Sequence, residues 1–129
     1  MMELILHNPT EGVYSTGGDW VHAMEVRGAE RLLFVSGTMG LRSDFSAPET
    51  LDEQLVFVWD NIRAILASAG MTTDNIVRLT SYLRDASYAE ANTAARQRAL
   101  GERRIPTTAI VVQTLESEWL VELEVVAAA

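Results

Sequence analysis

Residues 50–70 read TLDEQLVFVWDNIRAILASAG, and this stretch decides the fold. Thr50-Leu51-Asp52-Glu53 has the form of a capping box, with Thr50 as N-cap and Glu53 as the third helical residue. Leu51, Leu55, Val58, Ile62, Ile65 and Leu66 then recur every three or four residues, the spacing of one apolar helix stripe. Gly70 is the stop. Trp59 lies beside the stripe and reads as core. A helix with one apolar stripe needs a layer to pack against, and the flanking segments supply strands.

Upstream, Glu3–His7 reads as a short strand. Trp20–Val26 and Leu32–Ser36 read as two more, joined by the turn Arg27-Gly28-Ala29-Glu30 as a hairpin. Leu32-Leu33-Phe34-Val35 is continuously apolar, as in a central strand. Downstream, Asn75–Leu83 reads as a strand with Ile76, Val77, Leu79 and Tyr82 as its apolar content. A second capping box at Ser87-Tyr88-Ala89-Glu90 predicts a helix that runs to about Leu100 and stops at Gly101. Its small face, Ala91, Ala94, Ala95 and Ala99, allows close approach to a neighbouring layer.

Two strands follow. Thr107–Gln113 is rich in β-branched residues. In Trp119–Val126, Leu120, Glu122 and Glu124 alternate with Val121, Leu123 and Val125. The order β-β-β-α-β-α-β-β predicts an α+β fold: a mixed sheet with two helices on one face. No element remains to cover the other face, so a homo-oligomer is the simplest expectation. No repeat or linker interrupts residues 1–129, which read as a single domain.

Composition limits the functions. Hydrophobic residues make up 48% and charged residues 22%, so a packed core is available. The formal charge of −8 disfavours a phosphate backbone, and no nucleic-acid partner is expected. The densest basic group, Arg96, Arg98, Arg103 and Arg104, reads as a solvated helix end. With no cysteine, disulfides and thiolate sites are excluded and the cytoplasm is the default location. His7 and His22 lack ligand spacing, so no metal is expected. Met1–Pro9 lacks the pattern of a signal peptide, and no apolar stretch is long enough to suggest a membrane span.

Several segments resemble the Rid (YjgF-type) family: Tyr14-Ser15, Leu33-Phe34-Val35-Ser36-Gly37-Thr38, Asn61-Ile62 with Ala67–Gly70, the Ile105-Pro106 turn, and Val121-Glu122-Leu123-Glu124 with Ala127. The match runs from about Gly12 to Ala127. The resemblance implies a chorismate-mutase-like homotrimer with small-molecule clefts between subunits. It implies hydrolysis of reactive enamines or imines to carbonyl compounds and ammonia, with no cofactor.

Carried over by position, the resemblance implies that Glu122 positions the attacking water as the catalytic residue. It implies substrate-binding roles for Tyr14, Gly37 and Asn92, and for positions 108 and 110. The family's arginine is absent from position 108, where Thr108 stands, and Ile110 stands where many members have cysteine. From alternation alone, Glu122 and Glu124 read as a solvated strand face; the resemblance moves Glu122, and not Glu124, into the site. Tyr14 reads equally as a loop cap, Asn92 as a solvent-facing helix residue and Thr108 as strand filler.

Guanidinium grips a carboxylate with two parallel hydrogen bonds, whereas threonine offers one neutral donor. The ligand expected is therefore small, and not an ordinary 2-imino acid. A non-catalytic binder or regulatory trimer on the same scaffold is the alternative. Arg96, one helical turn beyond Asn92, is a candidate to restore the missing cation from an adjacent subunit.

Overall fold

Helix α1 spans Leu51–Ser68, and Thr50 caps it by accepting the Glu53 N–H at 3.2 Å. The second half of the capping box is rearranged: the Glu53 carboxylate accepts from the Thr50 hydroxyl, not from its backbone N–H. The computed structural model describes residues 1–129. Leu55, Val58, Trp59, Ile62 and Leu66 are all at most 3% exposed, as the stripe requires. Ile65, at the stripe's margin, is 37% exposed. At the C-terminus, the Gly70 and Met71 N–H groups donate to Ala67 and Leu66 carbonyls.

Strands β1 (Glu3–His7) and β2 (Ala23–Arg27) form an antiparallel pair of their own. Strands β3 (Leu32–Met39), β4 (Ile76–Leu83), β5 (Thr107–Val111) and β6 (Val121–Ala128) form a four-stranded sheet in the order β3-β6-β4-β5. Strand β6 is antiparallel to both neighbours, whereas β5 runs parallel to β4. A parallel pair needs a crossover, and helix α2 (Ala89–Leu100) supplies it.

The expected hairpin between the second and third strands does not form. Glu30 and Arg31 both donate to the Ala129 carbonyl, and Ala129 donates back to Arg31. The start of β3 is thereby committed to the C-terminal strand, leaving β2 to pair with β1. Strand β3 also runs past Ser36. The pairing register slips between Val35 and Thr38, so Gly37 marks a bulge within the strand and not its end.

The second capping box also fails. Asp85, rather than Ser87, accepts the capping N–H, and it caps a short 3-10 turn, Ala86–Tyr88. The chain enters α2 from that turn with no side-chain cap. The basic group near the end of α2 is solvated only in part: Arg98 and Arg104 are exposed, and the other two are engaged. Arg96 is 8% exposed, and Arg103 donates to the Thr73 and Ile76 carbonyls at 2.8 and 2.9 Å. Burial lowers the Arg103 pKa, with Asp74 opposing the shift.

The core lies between the helices and the inner sheet face. Val121, Leu123, Val125 and Ala127 of β6 meet Leu79 and Leu83 of β4, Val35 of β3, and the α1 stripe in one buried cluster. On the opposite face the sheet is open. Phe34 is 73% and Ile110 45% exposed there.

One buried polar residue fastens α1 to the entry of β6. Gln54, 1% exposed, donates to the Pro48 and Glu118 carbonyls and accepts the Leu120 N–H at 2.9 Å. A side chain on Gly40 would collide with the Gln54 carbonyl, so helix and strand meet at backbone contact. Replacing Gln54 strands these buried backbone partners, at a cost of about 1–3 kcal/mol for each group left unmet. Gln54→Leu should therefore lower Tm by on the order of 10 °C. The exposed control Arg63→Gln should shift stability by less than about 0.5 kcal/mol. Calorimetry showing similar shifts for both variants would refute the fastening role.

Candidate functional site

The alternation of β6 turns Val121, Leu123 and Val125 inward, so Glu122 and Glu124 must face the open side. Glu122 lies between Met39 of β3 and Tyr82 of β4, and Glu124 lies opposite Thr80. The bulge in β3 brings Gly37 against the Glu122 carboxylate. Any Cβ at position 37 would overlap Glu122 Oε2. Glycine is therefore required for the carboxylate to occupy this position.

The carboxylates line a cleft of about 250 Å³ with Gly37, Tyr82, Thr114 and Leu115. Burial raises the Glu122 pKa above 4.5, and the charge of Glu124 adds to the shift. The Tyr82 hydroxyl donates to Glu124 Oε1 at 3.0 Å. That bond is the chief reason the Tyr82 pKa is raised above 10.0, so the phenol stays protonated and holds Glu124 in place. Two neighbouring carboxylates thus have different surroundings, a condition under which acid and base roles separate. A part-desolvated carboxylate beside an open cleft can take a proton from a water molecule.

Thr108 and Ile110 lie on the same open face, opposite Thr80 and Tyr82 respectively. The Thr108 hydroxyl accepts from Arg78 Nη2 at 3.1 Å. Tyr14 lies elsewhere, in the loop between β1 and β2, and is 72% exposed. Its ring meets His22 edge-on at 5.1 Å, and its carbonyl accepts from His22 Nε2. Asn92 is 5% exposed on α2, in the helix layer, so it is not solvent-facing. Within one chain, then, Gly37 and Glu122 come together, Thr108 and Ile110 share their sheet face, and Tyr14 and Asn92 stand apart.

Arg96 is already engaged. It donates to Asp19 Oδ2 at 2.7 Å and to Thr107 Oγ1 at 3.1 Å, on the helix side of β5. The guanidinium that does reach Thr108 belongs to Arg78, on the adjacent strand of the same chain. Arg78, Tyr82 and Glu124 were not among the residues expected at the site. Period-two alternation in β4 could have paired Arg78 with Tyr82 on one face. Their positions relative to β5 and β6 depend on strand register, which is a long-range property.

A family model described as Endoribonuclease L-PSP matches residues 13–129. The RutC family protein YjgH of Escherichia coli (strain K12) is 43% identical over 54 residues, 42% of this chain and 41% of that relative's length. The RutC family protein PH0854 of Pyrococcus horikoshii is 28% identical over 102 residues, 77% of this chain and 80% of the relative. A crystal structure of YyfB, a protein of the conserved Rid family from Yersinia pestis, superposes with a TM-score of 0.84 at 25% identity, covering 98% of both chains. With the sheet order, the bulged glycine and the Glu-x-Glu strand, these matches establish that the chain belongs to the Rid (YjgF-type) family, with its chorismate-mutase-like α+β fold.

Proposed function

We propose that this protein hydrolyses a small enamine or imine in clefts on the open sheet face, closed by neighbouring subunits of a homotrimer, with Glu122 as general base. The observation that carries this reading is the part-buried Glu122 carboxylate seated against Gly37. An enamine first tautomerises to the imine, its N–H proton being replaced by one gained at the β-carbon; Glu122 then takes a proton as water adds to the C=N carbon and returns it to the nitrogen. The C–N bond then breaks, the nitrogen leaves protonated as ammonia, and a carbonyl compound remains. The reaction is hydrolytic rather than redox, so water and proton transfer suffice.

Tyr14, 72% exposed and remote from Glu122 within its own chain, fits a cleft completed by a second subunit, whereas Asn92 is buried in the helix layer of its own chain and supports no such role. Exposed Leu32, Phe34, Ile110 and Val111 support such an assembly, since a lone chain would leave them in water. The absence of cysteine fits a cytoplasmic protein. No helix is long and apolar enough to cross a membrane. The charge of −8 and the paired carboxylates oppose an RNA substrate. A 2-imino acid fits poorly, because its carboxylate would lie close to Glu122 and Glu124. Thr108 and Ile110, both uncharged, favour a second reading, a ligand-binding trimer without turnover.

The test is ammonia release from imines generated in situ by an amine oxidase. Glu122→Gln should lower kcat/KM by roughly 10²–10⁴, the range of a general base. The base must be unprotonated and its pKa is raised, so activity should fall with pH at values above the ordinary 4.5. Glu124→Gln removes the neighbouring charge and should move that acid limb to lower pH. Turnover that survives Glu122→Gln, or a limb that Glu124→Gln leaves in place, would refute the assignment. Saturable thermal stabilisation with no turnover would favour the binder.

The assembly is tested separately by sedimentation. The wild type should sediment as three chains, and Phe34→Glu should dissociate it and abolish turnover. A fully active monomer would overturn the inter-subunit cleft.

A further inference from the structure

The only arginine on the open face of the sheet is Arg78. All ten basic residues of the chain are arginines, and most are committed. Arg31, Arg84 and Arg103 donate to backbone carbonyls, and Arg27, Arg63 and Arg96 pair with carboxylates. Arg78 is exposed, forms no ion pair, and its one hydrogen bond is to the neutral Thr108 hydroxyl. This guanidinium keeps most of its donors free on the sheet face that carries the two carboxylates.

Its height in the sheet is set by register. Thr108 pairs with Thr80, and Thr80 pairs with Glu124, so the guanidinium is drawn to the Thr108–Thr80–Glu124 row. Glu122 lies one row further, opposite Tyr82. Two residues along a strand span about 7 Å, and adjacent strands are about 4.8 Å apart. The guanidinium and the Glu122 carboxylate are thus separated by roughly 10 Å. One hydrogen bond at the arginine and one water at the glutamate leave about 4–6 Å for the ligand itself.

We infer that Arg78, steadied by Thr108, is the specificity-determining residue for an anionic group carried several bonds away from the carbon that Glu122 attacks. The inference rests on the hydrolytic reading of Glu122. A 2-imino acid cannot span the gap, because its carboxylate is bonded directly to the reacting carbon. An ω-imino carboxylate of about four carbons can. Its anion meets the one cation on the face and stays clear of Glu122. The charge of Arg78 already reaches this region: at Tyr82 the upward effect of Glu124 dominates, and Arg78 opposes it.

Two experiments test the inference. In the first, 4-iminobutanoate and butan-1-imine are generated by an amine oxidase and the ratio of their kcat/KM values is measured. The wild type should prefer the anionic probe. Arg78→Gln should lower the ratio at least tenfold, and Arg78→Lys should retain part of the preference. Equal losses on both probes, or no change, would overturn the role.

The second experiment is independent of turnover. Pentanoate should raise the Tm of the wild type and of Glu122→Gln more than pentanamide does, and that difference should vanish in Arg78→Gln. If the wild type hydrolyses neither imine yet shows this difference, hydrolysis fails and the anion site stands. If pentanoate and pentanamide stabilise equally, or if Arg78→Gln dissociates the oligomer and so acts as an interface residue, the anion site fails.

Discussion

The alternation of strand β6 is the constraint on which the remaining structure depends. Val121, Leu123, Val125 and Ala127 must face the helices, because they form the middle of the only large apolar cluster. A slip of one residue would bury Glu122 and Glu124 and expose all four. The strand is held against that slip from both sides, by β3 and β4, and at its entry by the Gln54 amide. Hydrophobic burial thus fixes the position of the carboxylates, though neither contributes to the core.

The same geometry explains why Glu122 differs from a surface glutamate. The bulge in β3 brings the backbone of Gly37 onto the carboxylate and removes water from it. Desolvation disfavours the charged form, and the neighbouring Glu124 adds to that effect. The scaffold therefore holds a group whose ionised form is disfavoured, which is useful for proton transfer and of no use for stability. Tyr82 restrains Glu124, and Arg78 places a positive charge one row away from Glu122. The open face thus combines a part-desolvated carboxylate, a restrained second carboxylate and a cation, rimmed by exposed apolar side chains.

Signals local in sequence specify their elements, whereas long-range pairings leave no local trace. Helix α1 was legible because its cap, stripe and stop lie within 21 consecutive residues, 50–70. The alternation of β6 was legible for the same reason. Arg27-Gly28-Ala29-Glu30 has the composition of a hairpin turn, whereas the partner of β3 is the distant strand β6. Arg96 and Arg103 looked like a solvated helix end, but their partners, Asp19 and the carbonyls of Thr73 and Ile76, lie well outside the helix. Glu122 and Gly37 could be named through the family resemblance. Arg78 and Tyr82 could not, since their relation to Thr108 and Glu124 exists only once three strands are in register.

The contact between Gly37 and Glu122 permits the most direct test. Gly37→Ala adds one methyl group where Glu122 Oε2 now sits, and the flexible end of the glutamate can yield without unfolding the sheet. Imine hydrolysis should fall by roughly two orders of magnitude or more, approaching the loss of the base itself. Tm and sedimentation should stay close to wild type. A Gly37→Ala protein that retains full hydrolytic activity would contradict the account, because the position of the carboxylate would then be irrelevant to the chemistry.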